Sequence, residues 1–324
     1  MPEVHSSRWL QELRRDGFAI IRGAVSPERS NEYASAALSW AESFPLGFKK
    51  EDPSTWDADH LPIHYTGGLF TGYAVAHEDF VWRARQEEKI SQAFAEIWGT
   101  SKLICSFDAI NISLPQGPHG RKDIVPTVRW PHQDQNPRKT NFELVQGLLA
   151  VTESGKDDGG LIVLKGTHLL QERFFRESGG IKAEQDSGDE NHYFYTEDDI
   201  KWFLAQDGVE EIKVETQAGD FVVWDSRTVH FNCAPTGHRT RVVIYICMAP
   251  ASFASEDALK KKSDVFDKRL ASTHWPHLNV IPYERYGPVL RGGVPDPHDR
   301  SRPLHEPVLT SKLLRLAGVE AYPE

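Results

Sequence analysis

Trp130-Pro131-His132-Gln133-Asp134 closes the run Thr127-Val128-Arg129. About a hundred residues on, Phe221-Val222-Val223-Trp224 leads to Val229-His230 and then to Arg241. A His-x-Asp at the end of one apolar run, with a single His on another, is the ligand set of a mononuclear ferrous centre. Two imidazoles and one carboxylate take one face of an octahedral ion and leave the other face open for a co-substrate and dioxygen. An Arg eleven residues after the distal His can hold the far carboxylate of 2-oxoglutarate, a task its planar fork suits better than a Lys ammonium. Ligands so far apart in the chain converge readily at strand ends of a jelly roll, so this stretch bears on fold as much as on chemistry.

Working outward, short β-branched runs bounded by turn residues fill the middle of the chain. They span residues 105–113, 144–151, 160–165, 211–215, 220–224 and 241–248. Gly159-Gly160, Gly166 and Ala218-Gly219-Asp220 punctuate them. Many short strands with glycine turns predict a mainly β fold, a sandwich or barrel of which the jelly roll is one form. Helices flank it. Ser6 or Ser7 caps a helix to Arg15, stopped by Asp16-Gly17, and Phe18–Arg22 reads as a strand. Ser26-Pro27-Glu28 opens a second helix with a hydroxyl cap, a first-position proline and an acid in the first turn. A third is expected from about Asp79 to Trp98, ended by Gly99. Residues 176–190 form an acidic, Gly-rich insert, and Thr196-Glu197-Asp198-Asp199 caps a helix that Gly208 ends. In the tail, helices are expected at Ser255–Leu270 and Ser311–Ala317.

The metal motif has to survive chance. With 14 His in 324 residues, about one His-x-Asp is expected at random. A second copy, His77-Glu78-Asp79, opens the Asp79 helix, where Asp79 reads more simply as an N-cap. It has no strand before it and no suitable His and Arg after it. Taken singly, His132 and Asp134 could be a polar surface turn and His230 a hydrogen-bonded core histidine; the joint pattern points to metal.

Residues 130–250 resemble the phytanoyl-CoA dioxygenase family. The likeness rests on Trp130, His132-Gln133-Asp134, Gly160-Leu-Ile-Val-Leu-Lys-Gly-Thr-His168, Gly219-Asp-Phe-Val-Val-Trp-Asp225, His230 and Arg241, with Asp16-Gly17-Phe-Ala-Ile-Ile-Arg-Gly23 similar to the family's N-terminal strand. It covers about three quarters of the chain and leaves out residues 251–324. The resemblance implies a double-stranded β-helix (jelly-roll, cupin-like), with Fe(II), 2-oxoglutarate and dioxygen as cofactor and co-substrates and ascorbate as a reductant. It makes His132, Asp134 and His230 the iron ligands and Arg241 the partner of the distal carboxylate. Where the family often has Ser or Thr two residues after the distal His, this chain has Asn232, whose amide can donate instead. Asn111 and Ser113 are further candidate contacts to 2-oxoglutarate, and Arg239 is the reserve for the Arg241 role.

Other residues have blander readings. His168 fixes a turn; His64 and Tyr65 are a surface loop or face substrate; Trp275, in His274-Trp275-Pro276-His277, anchors the tail or folds over the site. Trp202 and Trp224 pack. One oxygenase domain is expected, with residues 1–103 as N-terminal strand and helices, 104–250 as jelly-roll core carrying a lid-like insert at 171–208, and 251–324 as extension.

Composition limits the alternatives. Lys and Arg number 37 against 47 Asp and Glu, for a net charge of −10, so nucleic-acid binding is not expected. No apolar run is long enough to span a bilayer, and no secretory leader is read at Met1–His5. Three cysteines without zinc spacing fit a reducing, cytoplasmic location. The expected partner is a small molecule, an amino acid or a secondary metabolite, bound by a monomer or homodimer. A coenzyme-A thioester is disfavoured for want of a basic cluster, and the Asp134 carboxylate argues against halogenation. Hydroxylation of an unactivated C–H is the default outcome, with desaturation or cyclisation needing only a different substrate pose. Two other readings stay open: an iron jelly roll that does not use 2-oxoglutarate, and a non-catalytic β-sandwich.

Overall fold

The computed structural model describes residues 7–323 except 66, 125–127, 187, 189, 279, 281 and 283–287. Ser6 and Thr127, used above, lie outside the described residues.

Two antiparallel sheets face each other, and a separate strand pair accompanies them. Their strands are β1 (Phe18–Ile21), β2 (Leu69–Phe70), β3 (Leu103–Cys105), β4 (Ile110–Ser113), β5 (His132–Gln133), β6 (Val145–Ala150), β7 (Gly160–Lys165), β8 (Tyr193–Phe194), β9 (Glu210–Lys213), β10 (Phe221–Asp225), β11 (His230–Cys233), β12 (Arg241–Tyr245) and β13 (Met248–Pro250). The larger sheet runs β1-β10-β6-β12-β4-β2 and the smaller β8-β5-β11-β7-β9, while β3 pairs with β13 separately. This is a jelly roll with flanking helices. Its central strands read as unbroken apolar runs because both faces are covered. On β10, Val222 and Trp224 pack between the sheets with Leu148, Ala150, Val163 and Val243. Phe221 and Val223 point the other way, into a second core.

That second core is roofed by helices α1 (Arg8–Asp16), α2 (Pro27–Glu42), α3 (Asp79–Arg85) and α4 (Glu88–Trp98), which bring Leu13, Tyr33, Trp40, Val81 and Phe94 onto the sheet. Helices α5 (Gln171–Glu177) and α6 (Glu197–Leu204) cover the outer face of the smaller sheet through Phe174, Ile200 and Phe203. The tail adds α7 (Glu256–Asp267) and α8 (Ser311–Leu316). No described helix is long and apolar enough to cross a membrane.

Several expected elements are divided. The helix expected over Asp79–Trp98 breaks at Gln86-Glu87, where Glu87 is extended (φ −56°, ψ 132°) and its carboxylate takes hydrogen bonds from Arg29 and Tyr33 of α2. Asp79 is the first helical residue, not the cap, and pairs with Arg83 one turn on (2.9 Å). The run 105–113 is two strands, β3 and β4, because residues 106–109 leave the sheet to bond the tail: Phe107 N–H donates to Ser272 Oγ (3.1 Å). The run 241–248 divides likewise into β12 and β13. Helix α6 stops at Leu204, before Gly208. Ser7 caps α1 in position without a side-chain hydrogen bond, whereas Ser26 and Thr196 accept from Arg29 N and Asp199 N as their sequences predict. Gly17 ends α1 with φ 82°, and any Cβ there would lie 2.5 Å from both His168 Nδ1 and Thr228 Oγ1. His168 donates from Nε2 to the Arg14 carbonyl (3.1 Å), so it fastens α1 to the turn after β7.

Candidate metal centre and co-substrate site

His132 on β5 and His230 on β11 sit directly opposite each other in the smaller sheet. Antiparallel partners point to one face, so their rings meet with centroids 4.3 Å apart. Each imidazole is oriented by a carbonyl two residues upstream: Nδ1 of His132 is 3.1 Å from the Trp130 oxygen, and Nδ1 of His230 is 2.9 Å from the Thr228 oxygen. A carbonyl only accepts, so both Nδ1 atoms carry the proton and both Nε2 lone pairs are free to ligate. Those Nε2 atoms lie 3.6 Å (His132) and 3.2 Å (His230) from Asp134 Oδ2.

Asp134 follows β5, and its N–H donates to the Ser226 carbonyl (2.9 Å), tying it to the end of β10. Gln146 Nε2 donates to its Oδ2 (2.9 Å). Burial alone would raise the Asp134 carboxyl, but the neighbouring His274, His132 and His230 outweigh it and hold the group well below the usual carboxylate range. Burial lowers His132, Asp134 notwithstanding, which favours the neutral ring. One ligand atom from each of the three residues lies within 4.8 Å of the others. Two neutral imidazoles and an anionic carboxylate, with no hydrogen bond consuming either Nε2, fit a divalent first-row metal.

Arg241 begins β12 and is paired in register with Ser113 of β4. It is 4 % exposed; its Nη1 donates to Asn111 Oδ1 (3.2 Å), and Ser113 Oγ donates to the same oxygen (2.8 Å). Arg241 has no carboxylate within 4.0 Å among the described residues. Arg239, its reserve, is half-exposed and paired with Glu153 and Asp158 (both 2.7 Å). Asn232 lies two residues beyond His230 on the same strand face and reaches Tyr245, which in turn contacts Arg241. Asn111, Ser113 and Arg241 thus line the larger-sheet side of the inter-sheet space, facing His132, His230 and Asn232 of the smaller sheet.

Three further residues meet Asp134, and one of them, Gln146, has no part in the sequence expectations. Its signal is a polar residue inside the buried strand Val-Gln-Gly-Leu-Leu-Ala. The tail supplies the others. Trp275, 2 % exposed, donates from Nε1 to the Asp134 carbonyl (3.1 Å), and His274 Nε2 is 3.8 Å from Asp134 Oδ1. The tail therefore does both things weighed above: Trp275 anchors it, and His274 folds against the site. Trp224 packs in the core and Trp202 in the insert's apolar cluster. His77 is buried against the Leu270 carbonyl (2.9 Å), remote from the triad. His64 and Tyr65 line a separate cavity of about 650 Å³ between β2, the end of α7 and residues 288–302.

Fold and site together define a jelly roll with a candidate His-Asp-His metal centre between its sheets. The chain belongs to the phytanoyl-CoA dioxygenase (PhyH) family, whose pattern matches residues 13–241. It is 43 % identical over 278 residues to the Ava biosynthesis cluster protein O of Aspergillus versicolor, across 85 % of this chain and 88 % of that one. Among solved structures it resembles the epimerase SnoN in complex with Fe3+, alpha ketoglutarate and nogalamycin RO (18 % identity, TM-score 0.52, 92 % of this chain and 94 % of that one). It also resembles GlcNAc inducible gene 2 of Candida albicans (12 % identity, TM-score 0.62, 97 % and 76 %). Both likenesses concern the fold.

Proposed function

We propose that the chain is an Fe(II)- and 2-oxoglutarate-dependent oxygenase that oxidises an unactivated C–H bond of a small secondary metabolite, with hydroxylation as the default outcome and desaturation or cyclisation as alternatives. The observation that carries this reading is the convergence of His132 Nε2, His230 Nε2 and Asp134 Oδ2 beside the buried, carboxylate-free Arg241. His132, His230 and Asp134 would hold the iron. Arg241, steadied by Asn111 and flanked by Ser113 and Asn232, would take the distal carboxylate of 2-oxoglutarate. Iron and 2-oxoglutarate bound there would supply dioxygen activation coupled to oxidative decarboxylation, with succinate and CO2 as co-products.

This chain's own residues orient and shield. The carbonyls of Trp130 and Thr228 fix both imidazole tautomers, and Gln146 fixes the carboxylate. Trp130 lies flat on His132 (centroids 4.4 Å, 9° between planes), and Phe194 stands opposite His132 on β8. Both are partly exposed, 40 % and 45 %, and so form an apolar rim beside the metal position that suits an uncharged organic substrate and keeps bulk water from the reacting centre. The Aspergillus versicolor relative, named for a biosynthesis cluster, supports a secondary metabolite over a primary one. The test is 2-oxoglutarate turnover by the iron-loaded protein, read as succinate: wild type is expected to form it, His132→Ala and Asp134→Ala are not, and unchanged succinate in either variant would refute the assignment.

A further inference from the structure

Lys213 closes β9, the edge strand of the smaller sheet, opposite Ile162 of β7. Its Nζ is out of solvent and has no hydrogen-bond partner of good geometry among the described residues, although the Cys233 side chain lies near enough to favour its charge. A buried, unpaired ammonium is unfavourable unless an anion comes to it. Among the described residues no carboxylate forms an ion pair with it. Asp158, whose charge reaches Lys213, is occupied by Arg239 (2.7 Å) and by the Gly155 N–H (2.7 Å). The Cys233 thiol donates to the Asp158 carbonyl (3.9 Å). Burial lowers the Lys213 pKa, the positive charge of Arg241 adds to the lowering, and Cys233 and Asp158 offset it only in part.

The second cation is Arg241. Gly160 separates the two: a Cβ built on it would stand 2.5 Å from Lys213 Nζ and 3.4 Å from Arg241 Nε. By those two distances the nitrogens are at most about 6 Å apart, and Gly160 leaves the gap between them unfilled. Two buried positive groups this close repel each other until a single anion sits against both.

We propose that Lys213 is a second cationic anchor for the distal carboxylate of 2-oxoglutarate, acting with Arg241 across the gap at Gly160. The proposal rests on the 2-oxoglutarate reading above. It accounts for an oddity of this chain: the hydroxyl that the resemblance leads one to expect two residues after the distal histidine is replaced by Asn232, and Lys213 supplies a stronger donor from another strand.

The test is binding, measured without turnover. Anaerobic Fe(II)-loaded wild type, Lys213→Met and Lys213→Arg are titrated with 2-oxoglutarate and with 2-oxobutyrate, followed by the visible charge-transfer band of the chelate and by calorimetry. 2-Oxobutyrate has the same keto-acid end and lacks the distal carboxylate. Lys213→Met is expected to weaken 2-oxoglutarate by about 10- to 100-fold, the loss of one charge-assisted contact, and to leave 2-oxobutyrate unchanged; Lys213→Arg is expected to recover most of the loss. Equal weakening of both keto acids, or no weakening of either, overturns the assignment of Lys213 while 2-oxoglutarate binding by wild type still stands. Absence of 2-oxoglutarate binding by iron-loaded wild type overturns the functional reading itself and this inference with it. Lys213→Gln carries the same comparison if the apolar variant does not fold.

Discussion

Each candidate ligand is held by something other than the metal. The Trp130 and Thr228 carbonyls set the imidazoles, and Gln146 sets the carboxylate. Partners of this kind raise metal affinity by removing rotational freedom and fixing the ligating tautomer. Gln146→Leu is therefore expected to weaken Fe(II), or Co(II) as a probe, by about 10- to 100-fold in equilibrium dialysis while the fold is kept. Arg241→Met removes the buried guanidinium proposed to bind the distal carboxylate, an expected loss of about 3–5 kcal/mol for a broken buried pair. The expected readout is a 2-oxoglutarate requirement raised by at least 100-fold with metal binding untouched; a shift under threefold would exclude Arg241 from that role. At this scale much was legible. The convergence of His132, Asp134 and His230 was legible from residue type and spacing. Gln146 was not, because a lone polar residue in an apolar strand has several explanations until its partner is seen.

Among the elements, those with strong local signals formed as read. Helix α6 begins at Thr196 with a reciprocal cap: Thr196 Oγ1 accepts from Asp199 N, and the Asp199 carboxylate accepts from Thr196 N (2.8 Å) and from Lys182 Nζ (2.8 Å). Thr196→Ala is expected to cost about 1 kcal/mol, seen as a lower urea midpoint with an unchanged slope. Because the strand before this cap, β8, pairs with β5, the same variant should also raise hydrogen exchange around His132. Elements failed to be legible where a distant contact interrupted a local pattern. Glu87 leaves the helical run because Arg29 and Tyr33 claim its carboxylate, and residues 106–109 leave the strand because Ser272 claims the Phe107 N–H. Nothing within ten residues of either break signals it.

On the scale of the whole molecule, the tail is part of the structure's core. Lys262 of α7 is buried over the Phe107 ring (3.8 Å) and bonds the Cys105 carbonyl, with burial lowering its pKa to about 8. Glu78 accepts from Leu304 N (2.6 Å) and His305 N (3.0 Å), and Trp275 reaches the metal loop. Removing residues 251–324 is expected to abolish cooperative unfolding and metal uptake together, measured by calorimetry and metal analysis; a truncated chain that still binds Co(II) at wild-type affinity would contradict this. The tail also sets an acid limit. His277 is 7 % exposed, and burial lowers its pKa from 6.5 to about 4. Folded protein keeps this ring neutral while the unfolded chain protonates it below about 6.5. Stability is thus full above that pH and is lost as pH falls towards 4, by about 3 kcal/mol from this group alone. His277→Gln should flatten that part of the stability profile.

The amino-acid sequence alone determined the period-two runs, the glycine turns, the capped helix starts and a ligand set recognisable by type and spacing. These depend on neighbours a few residues away or on chemistry that few side chains can perform. Only the tertiary structure decided that Lys213 comes beside Arg241, that Gln146 meets Asp134, and that Trp275 and His274 close over the same residue, one on its backbone carbonyl and one on its carboxylate. Those meetings depend on which strand ends lie together after the sheets have packed, and no local pattern in the chain encodes them.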